Sequence, residues 1–125
     1  MSIVLVDLRF DPKRIPSETL SKLKKELPKI VAGAMSCSTG GSDALVLPSG
    51  VQVNFLAAPA EKNVNTFPIQ AKIFANDRDE RRENLRDRRK LIGAGIESLL
   101  PAGIKGSVVT MLVPLSYGEF KSEAA

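Results

Sequence analysis

The stretch TFPIQAKIFANDR, residues 66–78, decides the fold of this chain. It reads as a β-strand that opens at Pro68, a position where a proline need not donate a hydrogen bond to a neighbouring strand. After Arg78 comes a long charged segment with apolar residues at helical spacing, followed by the strand-like run GSVVTMLVPL at 106–115. The stretch therefore predicts the first strand of a β-α-β unit.

The preceding residues carry the same pattern. SIVLVDLRF at 2–10 predicts a strand, and a helix pattern starts at Ser17, in which Pro28 is expected to produce a kink or a break. A polar loop at 36–43 follows, then a possible short extra strand at 44–47, a turn at 48–50 and a strand at 51–57. The order is β-α-β twice, a pseudo-repeat of residues 2–59 and 67–120.

This order predicts one α+β domain over residues 1–125. Two β-α-β units would share a four-stranded mixed sheet, with both helices on one face. The other face would carry alternate residues of each strand and would need to be covered. We therefore expect the protein to form oligomers.

Composition limits the chemistry. The 125 residues include no histidine and one cysteine, Cys37, so an internal disulfide, Ser-His or Cys-His catalysis and a cysteine/histidine zinc site are excluded. We interpret Cys37 as incidental and expect no metal and no cofactor. The net charge of +4 favours an anionic ligand without choosing between nucleic acid and a small carboxylate. No apolar run approaches the ~20 residues of a membrane span, and the first residues do not resemble a secretory signal, so a cytoplasmic protein without membrane contact is expected.

The segment DRDERRENLRDRRK, residues 77–90, carries seven basic and five acidic residues. Opposite charges recur three and four residues apart, which predicts a solvated helix face laced with ion pairs: Asp77 with Arg81, Asp79 with Arg82, Glu83 with Arg86, and Asp87 with Lys90. Such self-neutralisation, without aromatic residues in the run, argues against a nucleic-acid partner.

Two segments resemble a known family. PIQAKIFANDRDERRENL at 68–85 and SVVTMLVPLSYGEF at 107–120 resemble the opening strand and closing strand of 4-oxalocrotonate tautomerase subunits, and FPIQAKIFANDR also resembles 5-carboxymethyl-2-hydroxymuconate isomerase. The resemblance covers residues 67–120; over residues 1–60 only the topology agrees. It implies a tautomerase-superfamily fold assembled as a homotrimer, with the sheets lining a central barrel.

The resemblance also implies an activity. In active relatives an N-terminal proline amine moves a proton between carbons of an enol or unsaturated keto acid, and arginines hold the carboxylates. This chain begins Met1-Ser2-Ile3 and lacks that proline. The corresponding base would be the terminal amine of Ser2, only if Met1 is removed, with a reference pKa of about 7.7–8.0.

Further site residues follow from the resemblance and from position. Arg78 matches the arginine after the strand and is the expected carboxylate clamp, although a solvated charge is an equal alternative. Lys72 in mid-strand either attracts anions or faces solvent. In the first half, the candidate anion-binding residue is Arg9, and Lys13 and Arg14 lie just beyond it. Tyr117 and Phe120 in the closing turn either line a pocket or pack at a subunit interface.

Three functions remain open. The first is a tautomerase-like isomerase of a small unsaturated or keto carboxylate, with Ser2 as base and Arg78 as anion holder. The second is a catalytically inactive tautomerase-fold protein that binds a small anion or acts as a structural oligomer, as the missing proline suggests. The third and weaker alternative is a nucleic-acid-binding α/β module, which only the basic pI favours.

Overall fold

The computed structural model describes residues 2–41, 44–58, 67–116 and 118–123, and it has the predicted α+β architecture. Its elements in chain order are β1 (Val4–Phe10), α1 (Ser17–Met35), β2 (Val51–Ala57), β3 (Ile69–Asn76), α2 (Asp79–Glu83), α3 (Leu85–Glu97) and β4 (Gly106–Val113). One turn of 3-10 helix, Pro48–Gly50, leads into β2.

One sheet joins the two halves, with the strand order β2-β1-β3-β4. Within each half the strands are parallel, β1 with β2 and β3 with β4, because a helix carries the chain back to the same edge. The halves meet in the middle, where β1 and β3 are antiparallel and Leu5 pairs with Phe74. The predicted mixed sheet of two β-α-β units is confirmed.

The core lies between the sheet and the two long helices. Alternate side chains of β1 and β3 point into it, as the period of a strand requires: Val4, Val6 and Leu8, and Ile69, Ala71, Ile73 and Ala75. The intervening residues form an open sheet face on the side away from the helices. α1 contributes four fully buried large side chains, Leu23, Leu27, Val31 and Met35, whereas α3 contributes Ile92 and Ile96.

α1 runs through Pro28 as one helix, so of the two predicted outcomes, a kink or a break, the break does not occur. A proline inside a helix costs roughly 3 kcal/mol. Burying an aliphatic side chain such as Leu27 stabilises by roughly 1.5–3 kcal/mol, and three of them line this helix, so core packing outweighs the cost. None of the helices in the described ranges is long and apolar enough to cross a membrane.

The charged helix predicted after Arg78 is two helices. Asn84 has φ −133° and ψ 32°, outside the helical region, and separates α2 from α3. The break turns α2 relative to α3 and lets the residues on both sides of it face the end of α1.

The possible short strand at 44–47 does not form. Ala44 and Val46 are instead buried in the core, and Val46 N–H donates to the Ser36 hydroxyl at 3.0 Å. The carbonyl of Leu45 accepts a hydrogen bond from the backbone N–H of Ser2 at 3.3 Å. The backbone groups of this segment therefore form individual hydrogen bonds with Ser36 and Ser2 rather than the regular hydrogen bonds of a β-sheet.

Candidate functional site

The start of β1 and the end of β3 lie at the same edge of the sheet, because these two strands are antiparallel. This edge brings Ser2 and Arg78, the two principal predicted site residues, to one side of the molecule. Ser2 is 5% exposed and its nitrogen is held by the Leu45 carbonyl. We call this region the arginine edge and define it by Ser2, Arg78, Glu80, Arg81 and Arg88.

Arg78 lies beside an open surface cleft of about 390 Å³. It is half-buried, and its Nη2 donates to the Thr39 carbonyl at 3.3 Å. No carboxylate lies within ion-pair distance of its guanidinium among the described residues. Arg78 therefore keeps donors that a small anion in the cleft could use.

Gly40 makes room for this guanidinium. Its φ of +110° is a conformation that residues with a side chain rarely adopt, and a Cβ there would collide with Arg78 Nη2. A side chain at this point of the loop would strain the backbone and displace the end of the Arg78 side chain.

The acidic residues around the cleft are already engaged. Arg82 donates to Asp77 and to Asp79, each at 2.6 Å, and the hydrogen bond that it donates to Asp77 raises the pKa of Arg82. These two carboxylates are neutralised locally and compete little with an incoming anion. Arg82 is itself largely exposed.

Glu80 is fixed by donors at the end of α1. The Ser38 N–H and hydroxyl donate to it at 2.8 Å and 2.9 Å, Thr39 adds two longer hydrogen bonds, and Arg88 Nη2 lies 3.2 Å from Oε2. The Ser38 N–H is the main reason that the pKa of Glu80 falls from 4.5 to about 2. Glu80 is ionised at neutral pH and acts as an anchor for the loop rather than as a general acid.

Arg81 and Arg88 are buried, at 0% and 7% exposure, and cap the C-terminus of α1. Arg81 Nε donates to the Met35 carbonyl at 2.9 Å, and Arg88 Nη1 donates to the carbonyls of Ala34 and Ser36 at 3.1 Å and 2.8 Å. The last carbonyls of a helix have no partner within the helix, and cations are favourable at that end. α1 has no basic residue in its own last turn, so the second half of the chain supplies them.

Arg81 also connects to β3 and has one unused donor. Its Nη1 donates to the Asn76 carbonyl at 3.1 Å, while Nη2 is buried without a hydrogen-bond partner among the described residues. Burial lowers the pKa of Arg81, with the neighbouring Arg78 and Arg88 acting in the same direction. The arginine edge thus holds three guanidinium groups against one carboxylate, Glu80, that interacts with them.

The predicted pairing of Asp77 with Arg81 is wrong, because Arg81 is buried and Arg82 takes Asp77. The pair of Asp79 with Arg82 is confirmed. The pairs Glu83 with Arg86 and Asp87 with Lys90 are not formed within the described residues. Part of the charged segment therefore faces the protein interior instead of solvent.

Cys37 is a free, buried cysteine beside Arg81. Its backbone N–H donates to the Ala44 carbonyl at 2.7 Å, which fixes the turn after α1. No group of three or more histidine, cysteine or acidic residues that could hold a metal ion occurs in the described part of the chain.

The other predicted site residues lie elsewhere. Lys72 is half-buried on the open sheet face, paired across the strands with Asp7, and Arg9 pairs with Gln70 toward the opposite edge from Ser2. Phe120 is 95% exposed, and Tyr117 lies outside the described residues. Ser2 and Arg78 therefore lie at one edge of the sheet and Arg9 toward the other, and Ser2 is not among the described residues that line the cleft beside Arg78.

Sequence reasoning missed the two buried arginines, although a signal was present. Positions 81, 85, 88, 92 and 96 follow the spacing of a buried helical stripe, and arginines occupy two of them. An arginine on an apolar stripe points to a buried polar partner, here the carbonyls at the end of α1.

The comparisons with known proteins show the fold alone. No protein-family model matches the chain, and no curated protein matches its sequence. Among solved structures, a probable enzyme from the thermophilic fungus Aspergillus fumigatus is similar, with a TM-score of 0.62 and 19% identity over 91% of this chain and 78% of that one. A protein of unknown function from Vibrio cholerae is also similar, with a TM-score of 0.56 and 14% identity over 90% of this chain and 80% of that one. The native form of a protein named Ps01740 is similar as well, with a TM-score of 0.56 and 14% identity over 93% of this chain and 99% of that one. All three share this chain's arrangement of strands and helices over most of its length.

Proposed function

We propose that this protein is a tautomerase-like isomerase of a small unsaturated or keto carboxylate. The observation that supports the proposal is that Ser2, at the start of β1, and Arg78, after the end of β3, lie at the same edge of the sheet, and that Arg78 has no carboxylate partner among the described residues. A cytoplasmic location belongs to the same proposal.

Arg78 would hold the substrate carboxylate. A guanidinium can donate two parallel hydrogen bonds to a carboxylate, and Arg78 is positioned by Thr39 and by the space at Gly40. The neighbouring Arg81 and Arg88 add positive charge, whereas Asp77 and Asp79 are occupied by Arg82.

The Ser2 nitrogen would move the proton. Once Met1 is removed, this nitrogen would be a primary amine at a buried position, next to the Leu45 carbonyl. In its neutral form it would take the hydroxyl proton of the enol as the C=C bond shifts, or take a proton from carbon in the reverse direction. Delivery of a proton to carbon then leaves the keto acid, and the amine returns to its neutral state.

The proposal includes a homotrimer. The open sheet face carries a cross-strand row of Leu5, Phe74 and Met111, with Val109 beside it on the same face. Leu5 and Val109 are 37% and 38% exposed. Burying such a row against second copies of the chain would remove apolar surface from water, as the family resemblance implies.

A second function is small-anion binding without catalysis. It is favoured by the Ser2 nitrogen, which is a peptide N–H donating to the Leu45 carbonyl while Met1 is attached. In that state no base is available, but the donors of Arg78 are unchanged.

The two functions are separated by one set of measurements. Mass spectrometry of the native protein decides whether Met1 is removed, and ketonisation of phenylenolpyruvate measures the activity. We expect Arg78→Ala to lower the rate because it removes the guanidinium from the cleft, and Gly40→Ala to lower it because the added Cβ displaces that guanidinium. Arg86→Ala, at an exposed arginine outside the lining of the cleft, should have little effect on the rate. Ser2→Pro should raise the rate by supplying a secondary amine.

The outcomes are distinct. A rate equal to that of buffer for the chain without Met1 would exclude the isomerase for this substrate class. If phenylenolpyruvate then still binds and Arg78→Ala weakens that binding, the anion-binding function stands. If neither catalysis nor binding depends on Arg78, both are wrong.

A further inference from the structure

A groove of about 700 Å³ lies between α3 and the first residues of β3 and β4. Gly93 and Ile96 line it from α3, Ile69 from β3 and Val108 from β4. Its volume is in the ~300–1,000 Å³ range of small-molecule sites. Because Ile69 begins β3 and Arg78 follows its end, this α3–β4 groove lies at the opposite edge of the sheet from the arginine edge.

The groove exists because the two halves differ in the connection from helix to strand. In the first half, Ala44 and Val46 of the connection from α1 to β2 are buried in the core, at 2% and 3% exposure. In the second half the shorter connection, residues 98–105, covers the corresponding space only in part, with Ile104 half-buried. Gly93 contributes no side chain, so the space next to Val108 stays empty.

The lining of the groove is amphipathic. Its inner surface is aliphatic, and Phe67, 44% exposed, adds an aromatic wall. Three cations, Arg89, Lys90 and Lys105, line it against one carboxylate, Glu97. Within the described residues none of the three cations forms an ion pair.

We propose that the α3–β4 groove binds an apolar molecule that carries a carboxylate. The apolar part completes the core between α3 and the sheet, and burial of its hydrocarbon surface provides the main driving force. The carboxylate lies at the cationic side, where the net positive charge favours it over an amine or an alcohol. This site is independent of the proposed isomerase and of Ser2.

Decanoate is the probe, and its binding to the full chain is measured by titration calorimetry. Decanol and decylamine have the same hydrocarbon chain without the negative charge. We expect saturable binding of decanoate, weaker binding of decanol and the weakest binding of decylamine. The double variant Lys90→Gln, Lys105→Gln should bind decanoate about tenfold more weakly and should bind decanol with unchanged affinity.

Gly93→Leu tests the location. A Cβ at position 93 meets only an ordinary contact, 3.8 Å from Val108, so a leucine fits the helix and fills the groove. We expect this variant to fold and to bind decanoate at least about tenfold more weakly. Gly33→Leu is the matched control, since position 33 is in α1 with nothing within 4 Å, and it should bind as the unchanged chain does.

The proposal is overturned if decanoate does not bind, if Gly93→Leu binds it with unchanged affinity, or if decylamine binds as well as decanoate. It is also overturned if Arg78→Ala abolishes binding, since the site would then be the arginine edge. If Gly93→Leu changes the oligomeric state, measured by sedimentation without ligand, the groove is an interface between copies and the proposal is wrong.

Discussion

Replacing Arg81 by methionine tests whether a buried guanidinium stabilises this fold. Arg81 is fully buried, and its two hydrogen bonds join the Met35 carbonyl of α1 to the Asn76 carbonyl of β3. Methionine keeps much of the unbranched stem, so the change removes the charge and the donors with little loss of volume. Both carbonyls would lose these hydrogen bonds.

The magnitude follows from these contacts. A hydrogen bond from a charged donor contributes roughly 1.5–3 kcal/mol, so two contribute roughly 3–6 kcal/mol. Removing the buried charge and the unpartnered Nη2 returns roughly 1–3 kcal/mol of desolvation cost. We therefore expect Arg81→Met to lower the free energy of unfolding by about 3 kcal/mol, a large fraction of the ~5–15 kcal/mol typical of a domain.

Urea unfolding followed by circular dichroism measures the effect, with the slope of the transition checked for constancy. Arg82→Met is the control, because Arg82 is 59% exposed and its ion pairs with Asp77 and Asp79 lie in solvent. We expect that variant to unfold close to the unchanged chain. If Arg81→Met is as stable as the unchanged chain or more so, desolvation exceeds the two hydrogen bonds and the reasoning is refuted.

Three further predictions concern glycines, pH and the open sheet face. Gly95→Ala should lower the free energy of unfolding by about 1 kcal/mol, because a Cβ there lies 2.7 Å from Ile30 and overpacking outweighs the gain in helix propensity. Gly33→Ala, where a Cβ meets nothing within 4 Å, should raise the free energy of unfolding by about 0.5–1 kcal/mol in the same urea assay. Because the pKa of Glu80 is lowered from 4.5 to about 2, its stabilisation is complete above pH 4.5 and is lost as the pH falls toward 2. Glu80→Gln should therefore flatten the fall of the urea midpoint over that window, and an unchanged slope would contradict this. Phe74→Asp should shift the sedimentation of the oligomer to that of a monomer, and an unaffected oligomer would exclude this face as the interface.

The mixed sheet could be predicted because each strand is marked by a local pattern of alternating residues. Val4, Val6 and Leu8 alternate with Leu5, Asp7 and Arg9, and a period of two fixes which face is buried. The repetition of this pattern around Pro68 then implied two β-α-β units that share one mixed sheet.

The site was less predictable because its contacts are distant in sequence. Arg78 was identified by its place after a strand, but the carbonyls that bury Arg81 and Arg88 belong to residues some fifty positions earlier. Local charge patterns favoured ion pairs between residues three and four apart. For Arg81 and Arg88, however, the free carbonyls at the end of α1 are the stronger competitors for their hydrogen-bond donors. The interruption at Asn84, which allows both arginines to reach that end, has no Gly or Pro to mark it.

The capping of α1 by Arg81 and Arg88 has a consequence for how the chain folds. The two halves look alike, yet the carbonyls of Ala34 and Met35 in the last turn of α1 accept hydrogen bonds from Arg88 and Arg81, which belong to the second half. A fragment ending near residue 58 would contain every residue of its own β-α-β unit and would still have a frayed helix end and an unpaired β1 edge. We therefore expect the two halves to unfold as a single cooperative unit, in which neither half is stable without the other.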